Sequence, residues 1–319
     1  MILVTGCGAA PPGADGPVER AVRRTSIAVD YASFYAPIDD VKRLATAHAA
    51  AKGLRVTFST DSAGAAAQTA SLKTLTGPTS GFGVVAVAPF DVTAANRAIG
   101  AAKANGVKVV GYLDALAGQA AGVSVNVTGA ATQLATDVAA GRERSPSPKP
   151  RKRYLVLVPP SISPVPDPVA GVGRAGSKAL LDALRTIGVL APSTATALGE
   201  ADAEQAVKAA AAATPGIDTV LTWNDATAVG AAKALGRRGS VGALALGGVS
   251  SAATLRQLRR GDTALQEIVA PRLADLADAL IDVPANVLAG RTPASVTVEA
   301  QRFTPGAAAT RAALADYAG

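Results

Sequence analysis

The chain has 319 residues, 49% of them apolar but only 3% aromatic, so its core must be built from alanine and valine; the length exceeds a usual single domain and predicts two lobes. Charged residues are 17% of the total and the net charge is +7, a balance that excludes fibrous and disordered chains and permits a polyanionic partner. A single cysteine and a single histidine exclude an internal disulfide and a cysteine metal cluster.

The first 24 residues, with GCGAAPPGADGP, hold no periodic pattern. From residue 26 a rhythm begins: SIAVDY reads as a buried strand, 38–52 as a helix stopped by Gly53, LRVTFST as a strand and 65–75 as a helix. GVVAVAP is the next strand, followed by a helix over 92–105 closed by Gly106, and then the strand VKVVGYLD. After a pause, a helix is predicted over 128–141, a Pro/Ser/basic loop over 142–153, and the strand YLVLVPP. Helices at 169–187, 201–213, 226–235 and 251–260 then alternate with the strands IDTVLTW, VGALALGG and LQEIVA. A helix from Pro271 to Asp282, with Pro284 as a kink or a stop, a last strand VTVEAQRF and an Ala-rich tail over 305–319 complete the chain. Near-continuous apolar strands between helices predict an α/β fold of two doubly wound parallel sheets covered on both faces. No apolar run reaches the roughly 18–20 residues of a membrane helix.

Gly171–Gly176 is a literal GxGxxG. A dinucleotide turn must follow its strand at once, and here a proline-rich stretch intervenes, so the match is read as chance. The basic run Lys149–Arg153 has no interleaved aromatics and reads as a solvated loop, which argues against nucleic acid. His48 sits in an Ala-rich helix with no second histidine and no GxSxG elbow in the chain, so neither a metal nor a catalytic triad is expected. What stands out is a set of polar residues at strand ends: Asp30, Phe90-Asp91, Asp114, Asn224-Asp225 and Ser250. Doubly wound sheets bind ligands there. Helix capping accounts in part for Asp91 and Asp225 and less well for Asp114, which a Gly/Ala-rich loop follows. Trp223 suits either stacking on a flat ligand or wedging strand against helix.

These stretches resemble the type I periplasmic binding proteins, in the ribose-binding group, over about residues 25–303. The markers are GVVAVAPFDVTAANRAIGAAKANGVKVVGYLD, PGIDTVLTWNDATAVGAAKALGRRG and VGALALGGVSSAATLRQLRRGDTALQEIVAPRLADLADALIDVPANVLAGR, in family order and spacing. The resemblance implies two lobes joined by three crossovers near 115–125, 248–252 or slightly later, and 290–297. It divides the chain into a leader and tether at 1–24, a first lobe of 25–120 plus 270–293, and a second lobe of 121–269 plus 294–319. It implies a binding protein, with no catalysis and no cofactor or metal, that closes on a solute by hinge bending. By position, Asp114 matches an aspartate that accepts sugar hydroxyls and Asn224 an asparagine of the opposite lobe. Arg174 lies within a residue of a ligand-binding arginine. Asn126 matches the second member of a lobe-crossing Asp-Asn pair, whose first member is Val125 here. Phe34, Tyr35, Phe90, Asp91, Trp223 and Ser250 complete the implied ligand set. Ala115 replaces an arginine, Val249-Ser250 a Phe-Asp pair, Val269 a glutamine, and SFYAP an Asn-Pro-Phe-Phe motif. A pentose held in the family manner would leave hydroxyls unpaired, at ~1–3 kcal/mol each, so a less polar or bulkier solute, or a weakened site, is implied.

Val4-Thr5-Gly6-Cys7 resembles a bacterial lipobox, with Cys7 as the lipidated residue and 8–24 as a tether. Only six residues precede Cys7, too few for a leader, so the natural chain is expected to start further upstream. The expected partners are a sugar-like solute, the permease subunits of an ABC importer and, through Cys7, the outer face of the cell membrane. The alternative is a sensing module of a receptor or of a LacI-like regulator. A repressor requires a recognition helix before the first lobe, and the Gly/Pro-rich start does not read as one.

Overall fold

The computed structural model describes residues 25–31, 38–59, 64–143, 153–160, 167–189, 192–237, 239–245, 250–291 and 295–318. The first lobe starts with β1 (Ser26–Tyr31), α1 (Ile38–Ala51), β2 (Arg55–Ser59) and α2 (Ala65–Leu75). It continues with β3 (Val84–Ala88), α3 (Val92–Ala98), β4 (Lys108–Tyr112) and β5 (Ala121–Val125). The second holds α4 (Val127–Glu143), β6 (Arg153–Val158), α5 (Asp167–Thr186), β7 (Ser193–Thr196), α6 (Glu200–Ala213) and β8 (Ile217–Thr222). It goes on with α7 (Asp225–Leu235), β9 (Ser240–Leu244), α8 (Ala252–Arg260) and β10 (Leu265–Pro271). Helix α9 (Leu273–Leu288) and β11 (Val296–Val298) return to the first lobe, while β12 (Ala300–Phe303) and α10 (Ala308–Ala315) end in the second.

The strands form two six-stranded sheets, ordered β11-β5-β4-β3-β1-β2 and β12-β10-β9-β8-β6-β7. All pairings are parallel except β10 with β12. Every residue of β1 and β3 is buried, because helices cover both faces and leave no side for polar alternation. Ile27, Val29 and Val84 pack on one side with Val41 of α1 and Leu276 and Leu280 of α9. Ala28, Val85 and Val87 pack on the other with Leu72 of α2 and Ala95 of α3. In the second sheet, Val156 and Leu221 face Leu134, Leu180 and Leu184, and Leu155, Val220 and Val241 face Ala203, Ala228 and Leu258. The alanine-rich helices approach closely: a Cβ on Gly230 of α7 would sit 2.0 Å from the Glu200 carbonyl oxygen.

The chain changes sheet three times, each time at one residue: Asn126, Arg272 and Glu299. The crossovers expected near 115–125, 248–252 and 290–297 therefore lie later in the chain, and the boundaries 120/121 and 293/294 fall short of β5 and β11. Two strands carried too little signal to be predicted. AGVSV (β5) is small and follows a Gly-rich loop, and STAT (β7) is an exposed edge. VTVEAQRF is not one strand. It breaks at Glu299, with β11 joining the first sheet and β12 the second. Pro271 ends β10 instead of opening a helix, and α9 runs on through Pro284. Burial of Leu280, Ile281, Val283, Pro284 and Val287 on that helix outweighs the lost backbone bond. Helix α3 stops at Ala98, short of the predicted 105, and turns carry the chain to Gly106.

Candidate functional site

The carboxyl ends of the parallel strands carry most of the residues singled out by sequence. At the first-lobe end, Asp91 is extended (φ −138°) and caps α3, its carboxylate accepting the Ala94 N–H at 2.7 Å. The adjacent Phe90 is half-buried, and its N–H donates to Gln68 Oε1 at 2.5 Å. Gln68 is 2% exposed and also donates to the Ala88 carbonyl at 3.0 Å and to Asp30 at 2.7 Å. It thus fixes the β3–α3 turn from below, a role invisible in a sequence where it reads as one more helical polar residue. Asp30 also accepts the Ser71 hydroxyl at 2.6 Å. It is fully buried toward α2 and does not face the rim.

Asp114 follows Leu113, whose φ of 66° makes it the one non-glycine residue in left-handed backbone among the described residues. Such strain persists only where neighbours impose it, and it clusters at binding sites. Here the Leu113 N–H donates to the Val123 carbonyl at 2.7 Å, and Gln119 Oε1 accepts the Leu116 N–H at 2.7 Å. The loop folds so tightly over β4 that a Cβ on Gly111 would lie 2.5 Å from the Asp114 carbonyl oxygen. Asp114 is thereby held half-buried at the rim. Below it, Tyr31 and Tyr112 pair with ring centroids 5.5 Å apart. Burial pushes the Tyr112 hydroxyl up, with a smaller opposing effect of its bond to Tyr31, so this aromatic pair is floor and not lining.

At the second-lobe end, Asn224 and not Asp225 is the cap of α7. Asn224 Oδ1 accepts the Thr227 N–H at 2.8 Å, and its Nδ2 reaches the Leu198 carbonyl at 3.5 Å. Asp225 is half-buried and accepts the Ser250 hydroxyl at 2.9 and 3.0 Å and the Ser251 N–H at 2.6 Å. Burial raises its pKa against the effect of those donors. Ser250, 2% exposed, is thus spent on holding Asp225. Trp223 is the wedge of the two readings: it is 4% exposed, and its indole N–H donates to the Ala197 carbonyl at 2.9 Å. Its ring lies so close to α5 that a Cβ on Gly173 would be 2.5 Å from Cε3. Gly171–Gly176 is helical throughout, with Arg174 exposed on that helix. Val269 is fully buried in the core. Asn126 belongs to the hinge: its Nδ2 donates to Glu299 Oε2 at 2.9 Å and its Oδ1 accepts the Gly129 N–H at 2.9 Å, linking the first and third crossings. Phe34, Tyr35 and Cys7 lie outside the described residues. Phe90, Asp91 and Asp114 therefore lie at strand ends of the first lobe and Asn224 at a strand end of the second, while Trp223 and Ser250 are turned inward. Among the described residues no group of His, Cys, Asp and Glu could hold a metal ion, and no helix is long and apolar enough to cross a membrane.

Two α/β lobes, three single-residue crossings and polar side chains at the strand ends of both sheets define a hinged binding protein. The chain belongs to the periplasmic binding protein family, whose domain model matches residues 31–292; the family's members bind solutes and are not enzymes. A periplasmic ribose ABC transporter structure from Conexibacter woesei superimposes with a TM-score of 0.74 at 16% identity, covering 92% of this chain and 95% of that one. A Bacillus halodurans ABC transporter solute-binding protein with bound myo-inositol gives 0.72 at 15% identity, covering 92% and 98%. One from Agrobacterium vitis with bound allitol gives 0.69 at 15%, covering 88% and 96%. A search of curated proteins found no match.

Proposed function

We propose that this protein binds an uncharged, hydroxyl-rich small solute, a sugar or polyol, between its lobes and passes it to the permease of an ABC importer. The observation that carries the reading is the charge of the strand ends. The segments that follow β1 to β4 and β6 to β9 contain Asp61, Asp91 and Asp114 and no Lys, Arg or His, in a chain of net charge +7. Carboxylates accept hydrogen bonds from hydroxyls, and without a nearby cation they repel carboxylated or phosphorylated solutes. Myo-inositol and allitol, bound in two of the structural relatives, are neutral polyols of this kind. Asp91, Asp114 and Asn224 are the assigned contacts, with Phe90, Phe34 and Tyr35 assigned to the apolar faces of the solute. Asn126 acts by fixing the hinge. Export follows from the family, and Cys7 is assigned as the lipid attachment point that keeps the protein beside its permease.

Thermal unfolding against ribose, myo-inositol, allitol, glucuronate and ribose 5-phosphate tests the reading. A ligand at a hundredfold its Kd stabilises the native state by about 2.7 kcal/mol, a rise of roughly 4 °C at this chain length. Neutral members are expected to give that rise, and Asp114→Ala to abolish it. A rise only with the two anions would overturn the assignment of the rim.

A further inference from the structure

The chain ends on a segment that grips both lobes. Helix α10 packs on α8 and β12 of the second lobe, and the residues after it turn toward the first. Asp316, 8% exposed, accepts Arg272 Nε at 2.8 Å and Nη2 at 2.7 Å, and the Ala274 N–H at 3.3 Å. Arg272 is the second crossing residue. The Asp316 backbone carbonyl accepts the guanidinium of Arg43 from α1, in the first lobe. Tyr317 then donates its hydroxyl to the Ser250 carbonyl at 2.5 Å, the residue whose side chain anchors Asp225 at the second-lobe rim. The Tyr317 ring packs against both large apolar clusters. Burial, with the negative charges of Asp225 and Asp40 from opposite lobes, pushes its hydroxyl up and keeps it a donor.

We propose that Asp316 and Tyr317 are positioning residues of the clamp: a latch that pins the Ser250 rim and ties α1 of the first lobe to the Arg272 crossing. Anchoring α10 alone needs partners in the second lobe only. Arg43 comes from the other lobe, and its grip on a backbone carbonyl resists relative movement of the two halves. Hinge opening or closing then requires the Arg43 contact to break or slide, so the C-terminal segment sets the range of lobe angles.

The test needs no solute, so its failure leaves the solute reading intact. In a Cys7→Ser background, nitroxides are placed at Lys73→Cys on α2 and Ala209→Cys on α6, both exposed, and the inter-lobe distance distribution is measured by pulsed electron resonance. Arg43→Ala is expected to add a second distance population, Tyr317→Phe to broaden the first, and Arg43→Lys to restore the parent distribution. The melting temperature of each variant is recorded alongside. Distributions for Arg43→Ala and Tyr317→Phe that superimpose on the parent would overturn the latch. So would a lowered melting temperature with an unmoved distribution, the sign of a purely structural contact.

Discussion

The two lobes share one architecture and use their strand ends differently. In the first lobe, Gln68 and the strained Leu113 work beneath the surface so that Phe90, Asp91 and Asp114 are held at the rim. In the second, the corresponding turns consume more of their polar groups: Asp225 is engaged by Ser250 and Ser251 and Trp223 is wedged against Gly173, which leaves Asn224, the cap of α7, as the side chain there that matches Asp91. Equivalent positions in a repeated fold thus divide into a half rich in acceptors and a half that is mostly scaffold. Fold repetition does not imply an equal share in recognition.

The contrast can be broken most severely inside the second lobe. Gly230→Ala places a methyl group 2.0 Å from a backbone oxygen of α6, and neither helix end can yield without separating. We expect a loss of about 3 kcal/mol, read as a lowered urea midpoint, while an alanine at half-buried Gly171, with open space around its Cβ position, changes little. Asp225→Ala comes next. It leaves the Ser250 hydroxyl and Ser251 N–H without their acceptor, costing about 2 kcal/mol. It is expected to weaken solute binding through the loosened rim. Asp91→Ala, by contrast, should cost about 1 kcal/mol as a lost helix cap, and its larger effect should be on binding, measurable by calorimetry with the solute found in the thermal screen.

A third comparison uses pH. Glu267 on β10 lies beside Asp137 of α4, with Arg302 Nε 3.0 Å from Glu267 and 2.9 Å from Asp137. Burial first, and then the adjoining Asp137, raise the Glu267 carboxyl from 4.5 to about 8. The folded protein therefore holds a proton that the unfolded chain has already released. This contribution to stability is complete below pH 4.5 and is lost as pH rises through about 8. Glu267→Gln mimics the protonated form and should flatten that fall, by on the order of 2 kcal/mol in chemical denaturation at pH 9. The smallest effect belongs to the first-lobe surface. Lys52 and His48 both meet Asp282 Oδ1, at 3.0 and 2.8 Å, on partly exposed side chains. Lys52→Ala should cost less than about 1 kcal/mol and less still in high salt.

Much of this molecule was legible before its coordinates. Continuous apolar strands such as SIAVDY and VVAVA can be stable only when buried on both faces, and Gly53, Gly106 and Gly261 mark turns that need positive φ. The alternation therefore determined two wound α/β sheets. The order of motifs around Asp91, Asp114 and Asn224 determined the family and pointed to the strand ends as the candidate site. Tertiary structure alone decided where the chain changes sheet, because a strand's partner is chosen by non-local pairing. VTVEAQRF is uniform in pattern, yet its two halves bond to different sheets. It also decided which way each polar residue points. A side chain such as Trp223, Asp225 or Ser250 finds its partners in segments distant along the chain, and local pattern carries no information about which of those contacts wins.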